Sequence, residues 1–98
     1  MTRRRLSAKA ARAVIDAAEI VKAPDWSETH CWHVVSGGRV LVVIEPSYGG
    51  VSRSGRNGWN WWLADGARTL NKPEPTRQQA AVIGRLAWER WATYKEMP

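Results

Sequence analysis

Gly37 and Gly38 separate two runs rich in β-branched residues, His30 to Ser36 and Arg39 to Glu45. A two-residue Gly-Gly connection between such runs is a hairpin signal, because both central residues of the tight turn need positive φ. A turn that tight pairs Val35 with Val40, Val34 with Leu41, His33 with Val42 and Trp32 with Val43. Both faces of the second strand are then apolar, which predicts a central strand covered on at least one side. A third strand follows at Trp59 to Ala64. Trp59, Trp61 and Leu63 share one face there, while Asn60, Trp62 and Ala64 share the other.

Helices are expected on either side of this sheet. Leu6 to Lys22 reads as one helix, with Leu6, Ala10, Ala13, Val14, Ala17, Ile20 and Val21 on its apolar face and Pro24 closing it. Ile15 points away from that face. A capping box, Thr76 with Gln79, opens a last helix that runs to about Lys95. Its expected core stripe is Ala80, Ile83, Ala87, Trp91 and Tyr94, flanked by Gly84 and Trp88. Gly84 is costly in a helix, and a close approach to the sheet, against a Trp ring, compensates for it. The expected architecture is α+β, in the order α-β-β-β-α. It comprises a three-stranded antiparallel sheet with the N- and C-terminal helices packed on it. Residues 1–5 form a basic arm, and 6–96 form a single domain.

The 98 residues include seven Trp and no Phe, and the net charge is +6. The apolar fraction of 44% against 24% charged places the chain among globular domains. A lone Cys31 cannot form an internal disulfide, which fits a reducing compartment. No apolar run is long enough to cross a bilayer, and no apolar stretch follows the basic start as a signal peptide requires. The reading is a soluble protein of the bacterial cytoplasm, with no membrane partner. Positive charge is concentrated in Arg3, Arg4, Arg5, Lys9 and Arg12, with no acid before Asp16, and again in Arg53 and Arg56. These last two sit in a loop from Pro46 to Gly58 that also holds Tyr48. Arg outnumbers Lys, which suits bidentate phosphate contacts and also follows from a GC-rich genome.

Catalytic constellations are missing. On a strand Cys31 and His33 share a face and His30 takes the other, so at most two of the three converge, whereas a catalytic zinc needs three protein ligands. No phosphate-cradling glycine motif and no acid/base carboxylate pair is present. The chain is therefore read as non-enzymatic, without metal or cofactor. Clustered Arg attracts nucleic acid through counterion release, and neighbouring aromatic rings can stack on bases. Tyr48, Trp26 and the strand face bearing Asn60 and Trp62 are the aromatic surfaces expected to be free.

The order α-β-β-β-α resembles double-stranded-RNA-binding domains, in which a basic cluster opens the last helix. The corresponding stretch is Thr76-Arg77-Gln78-Gln79-Ala80, where Arg77 alone matches that role. Arg39 to Trp91 is similar in outline to the arm-type DNA-binding domains of phage integrases. That resemblance implies base reading by polar residues of the sheet, here Asn60 and Arg39. A small Arg- and Trp-rich chain with an Ala-rich helix also resembles accessory proteins of phages and mobile elements.

These features predict a nucleic-acid-binding accessory protein, with DNA favoured over RNA. Arg3, Arg4, Arg5, Arg53 and Arg56 would contact phosphates, and Tyr48, Asn60 and Trp62 would line the recognition surface. The alternative expectation is an inhibitor or adaptor that docks on a host protein complex through a Trp/Arg patch.

Overall fold

The computed structural model describes residues 6–47, 58–65 and 73–93. Their order is α1 (Ala8–Asp16), β1 (Glu19–Lys22), α2 (Trp26–Thr29), β2 (Trp32–Ser36), β3 (Arg39–Ser47), β4 (Gly58–Leu63) and α3 (Arg77–Thr93). The class is α+β, but the antiparallel sheet has four strands in the order β1-β2-β3-β4, not three. The extra strand comes from the second half of the segment read as one N-terminal helix. Helix α1 stops at Asp16, and Glu19–Lys22 pairs with β2, Ile20 opposite Val34 and Val21 opposite His33. Two consecutive β-branched residues gain more from an existing strand edge than from another helical turn, so tertiary pairing overrides local propensity.

Shortening α1 also changes its buried face. Ala11 and Ile15 are buried, with Leu6, Val14 and Ala18 packed against the core. Ile15, expected to point outward, is thus a core residue. The apolar stripe drawn over 6–22 included Ile20 and Val21, which do not belong to the helix.

The hairpin turn is as expected, with Gly37 and Gly38 at φ of 59° and 80°. Val35 faces Val40, but beyond that pair a bulge shifts the register. Val34 then meets Val42, His33 meets Val43 and Trp32 meets Ile44. A bulge re-aims a side chain, and here Leu41 is fully buried alongside its neighbour Val42. Strand β3 lies inside the sheet, covered on one face by α3. It runs on through Pro46 and Ser47, which the sequence assigned to a loop. Pro46 pairs only with Trp59 of β4, past the last β2 pair, where a missing N–H is tolerated.

Helix α3 begins at its capping box. Thr76 Oγ1 accepts the Gln79 N–H at 3.0 Å. Thr76→Ala is expected to cost about 1 kcal/mol in urea denaturation, and an unchanged midpoint would mean the cap is idle. The buried residues of α3 are Ala80, Ala81, Gly84, Trp88 and Ala92. Ile83, expected in the core stripe, is exposed, and Tyr94 lies outside the described residues. The true stripe runs through 80, 84 and 88, and Gly84 approaches Val42 rather than a Trp ring. Helix α1 packs against α3, tied at one end by the Leu6 N–H to the Ala92 carbonyl (2.8 Å) and at the other by Arg85 to the Ala18 carbonyl (3.4 Å).

Candidate nucleic-acid interface

Of the residues expected to carry function, Arg3, Arg4, Arg5, Tyr48, Arg53 and Arg56 lie outside the described residues. Asn60 and Trp62 are described. They share the sheet face turned away from α1 and α3, opposite Glu45 and Val43 respectively. Across that face run Val21, His33, Val43 and Trp62, one from each strand. Its strand residues include Glu19 and Glu45 but neither Lys nor Arg. Arg39 is not beside Asn60. It pairs in register with Ser36, whose hydroxyl donates to the Val14 carbonyl on α1, and its guanidinium binds Asp65 at 2.6 Å. The two residues singled out for base reading are therefore on opposite faces.

The structure instead assembles a row of cations and rings that sequence reasoning did not collect. Lys22 closes β1 and sets its Nζ 4.1 Å from the centroid of the Trp26 ring. Trp26 meets His30 edge-on at 4.9 Å and Trp32 at 6.2 Å. Arg77, the first residue of α3, lies 3.9 Å over the Trp32 ring. Neither Lys22 nor Arg77 is ion-paired among the described residues. Lys22 and His30 are exposed, while Trp26, Trp32 and Arg77 are half-buried. Each such cation–ring contact is worth about 0.5–2 kcal/mol, increasing with desolvation, enough to bias where the charge sits.

Local sequence explains the row. The Thr29 hydroxyl donates to the Asp25 carbonyl and also meets its carboxylate. His30 ends the short helix in a left-handed conformation, at φ 59°, its N–H donating to the Trp26 carbonyl at 2.7 Å. The chain thereby reverses and re-enters as β2 with Trp32 against Trp26. The available signal was the alternation of basic and aromatic residues at 22, 26, 30 and 32, closed by the Arg77 that the resemblance to RNA-binding domains had picked out.

The row sits at the N-terminal end of α3. Trp59 bridges to Glu74 at the same end, so the strand ends Ser47 and Gly58, which bound the Arg53/Arg56 segment, lie nearby. Leu6, which follows the basic arm, is bonded to Ala92 at the other end of α3. The two attachment points are separated by about 22 Å of helix, at 1.5 Å per residue. No group of three or more His, Cys, Asp or Glu is placed to hold a metal among the described residues. No helix among them is long and apolar enough to cross a membrane. Comparisons with known protein families, with characterised proteins and with solved structures find no match for this chain.

Proposed function

We propose that this chain is a non-enzymatic nucleic-acid-binding module that reads the phosphate backbone, with DNA as the favoured target. The observation that carries the reading is the Lys22–Trp26–Trp32–Arg77 row. Two cations with no acidic partner among the described residues are held on aromatic faces at the end of the fold where the Arg53/Arg56 segment is attached. One face of each ring already carries a cation, so the row supplies positioned charge more than open stacking surface. Phosphate contacts fix register without reading sequence. Binding that tolerates many sequences is therefore expected. The second basic cluster, residues 1–5, joins the fold at the far end of α3, and only an extended polyanion reaches both.

The test is a fluorescence-anisotropy titration of labelled duplex and single-stranded DNA at low and moderate salt. Lys22→Ala with Arg77→Ala is expected to weaken duplex binding and to lower the slope of log K against log salt by about 0.9 per lost contact. Removing residues 1–5 and changing Arg53 and Arg56 to Ala weakens binding further while leaving the circular dichroism unchanged. Wild-type affinity in the Lys22/Arg77 variant would overturn the assignment of the row. No binding at low salt would overturn the reading as a whole in favour of docking on a host protein complex.

A further inference from the structure

Three of the four exposed large apolar side chains among the described residues lie within five positions of α3: Val82 at 52%, Ile83 at 37% and Leu86 at 42% exposure. Val82 and Leu86, one turn apart, line a cleft of about 280 Å³ between α3 and α1, together with Ile15, Arg12, Asp16 and Arg85. Contiguous exposed apolar side chains rimmed by charge are the kind of patch that can mark an interaction surface.

The charges around the cleft determine what can cover it. Arg12 is matched by Glu89 at 3.1 Å. Arg85 and Asp16 have no ion-pair partner among the described residues. Among the described residues the Arg85 guanidinium donates only to the Ala18 carbonyl, at 3.4 Å, and its buried Nε has no partner there. Asp16 is exposed and is the last residue of α1, with no basic residue in that turn. A carboxylate there opposes the helix dipole. The cleft thus sets Val82 and Leu86 beside one cation and one anion that have no ion-pair partner among the described residues. A polyanion is disfavoured by the Asp16 carboxylate. A purely acidic peptide meets Asp16, and a purely basic one meets Arg85.

A surface that carries one charge of each sign beside exposed apolar side chains can pair Arg85 with Asp16 twice about a two-fold axis, as an isologous interface requires. We infer that this chain forms a two-fold dimer through its helical layer. Val82 and Leu86 pack against the same residues of a second copy, and Arg85 of each copy pairs with Asp16 of the other. The sheet face and the Lys22–Arg77 row stay outside this contact, so the inference is independent of the nucleic-acid reading.

Sedimentation equilibrium of the full chain over a hundredfold concentration range tests it. The wild type is expected to show a reversible monomer–dimer equilibrium, and Leu86→Glu to leave only monomer with an unchanged circular dichroism spectrum. Val82→Arg, at the most exposed of these positions, provides the same test if Leu86→Glu perturbs folding. Arg85→Glu and Asp16→Arg are each expected to weaken association at least tenfold, because each sets like charges face to face. The combined Asp16→Arg/Arg85→Glu variant restores opposite signs across the axis and recovers most of the loss. A chain that stays monomeric throughout overturns the inference and leaves the cleft to a foreign partner. A dimer indifferent to Leu86→Glu and Val82→Arg, or a combined variant no better than its singles, overturns it equally.

Discussion

Trp88→Ala is expected to remove about 3–5 kcal/mol of stability, a large share of the roughly 5–15 kcal/mol that holds a domain together. Trp88 is the largest fully buried side chain among the described residues, 1% exposed, in a core with Leu41, Val42, Ile44 and Val34. Its removal leaves a void in the core between α3 and the sheet that the stiff β-branched side chains of Val34, Val42 and Ile44 fill poorly. Trp88→Phe is expected to be far milder. The indole Nε1 is buried with no acceptor among the described residues, so losing that N–H relieves a desolvation cost while most of the ring volume remains. Ile83→Ala supplies the contrast, since Ile83 is exposed, and a change within about 0.5 kcal/mol is expected. Urea denaturation followed by far-ultraviolet circular dichroism measures all three. A small loss at Trp88 with a large one at Ile83 would mean that α3 is rotated onto the face the sequence pattern suggests.

That rotation is the clearest limit of the sequence. Ala80, Ile83, Ala87 and Trp91 make a respectable apolar stripe at helical spacing, yet so do Ala80, Gly84 and Trp88. Hydrophobicity alone favours the first because glycine counts for nothing on such a scale. What decides is shape: a helix can approach a sheet closely only along a line of small residues, and Ala80, Ala81, Gly84 and Ala92 supply one. The hairpin turn was legible because Gly-Gly has a local backbone cause. The bulge at Leu41 was not, because it reflects a competition for core space that local pairing does not reveal. Strand β1 was hidden for a similar reason. Ile20 and Val21 continue an alanine-rich helical pattern smoothly, and only the free edge of β2 draws them into the sheet. At the candidate site, Trp26 and Arg77 could each be singled out, but their connection through Trp32 needs the reversal at His30. A non-glycine residue with positive φ carries no reliable mark in sequence.

Gly84 is where packing and the proposed interface meet. A Cβ built on Gly84 falls 2.6 Å from Val42 Cγ1, closer than carbon atoms tolerate, and a tight 3.1 Å from Cγ2. Val42 is fully buried and β-branched, which restricts the rotamers it can retreat to. Helix propensity alone predicts that Gly84→Ala stabilises the chain by about 1 kcal/mol. Overpacking of a tight core costs about 1–3 kcal/mol and sets the sign, so a net loss is expected. Gly84→Leu should lie at the top of that range, about 3 kcal/mol. Val42→Ala opens space at the same point, so adding it to Gly84→Ala should cost less than the two changes summed, with a coupling of about 0.5–3 kcal/mol. Strict additivity in a four-variant urea cycle would show that helix and sheet do not touch there. The same contact sets the height of α3 above the sheet, and Arg77 lies two turns towards the N-terminus. A side chain at position 84 that lifts the helix also draws the Arg77 guanidinium away from the Trp32 ring, now 3.9 Å below it. Gly84→Ala is therefore expected to weaken duplex binding at temperatures where it remains folded, and Val42→Ala to restore it. Restored stability without restored binding would separate the packing of α3 from the placement of Arg77.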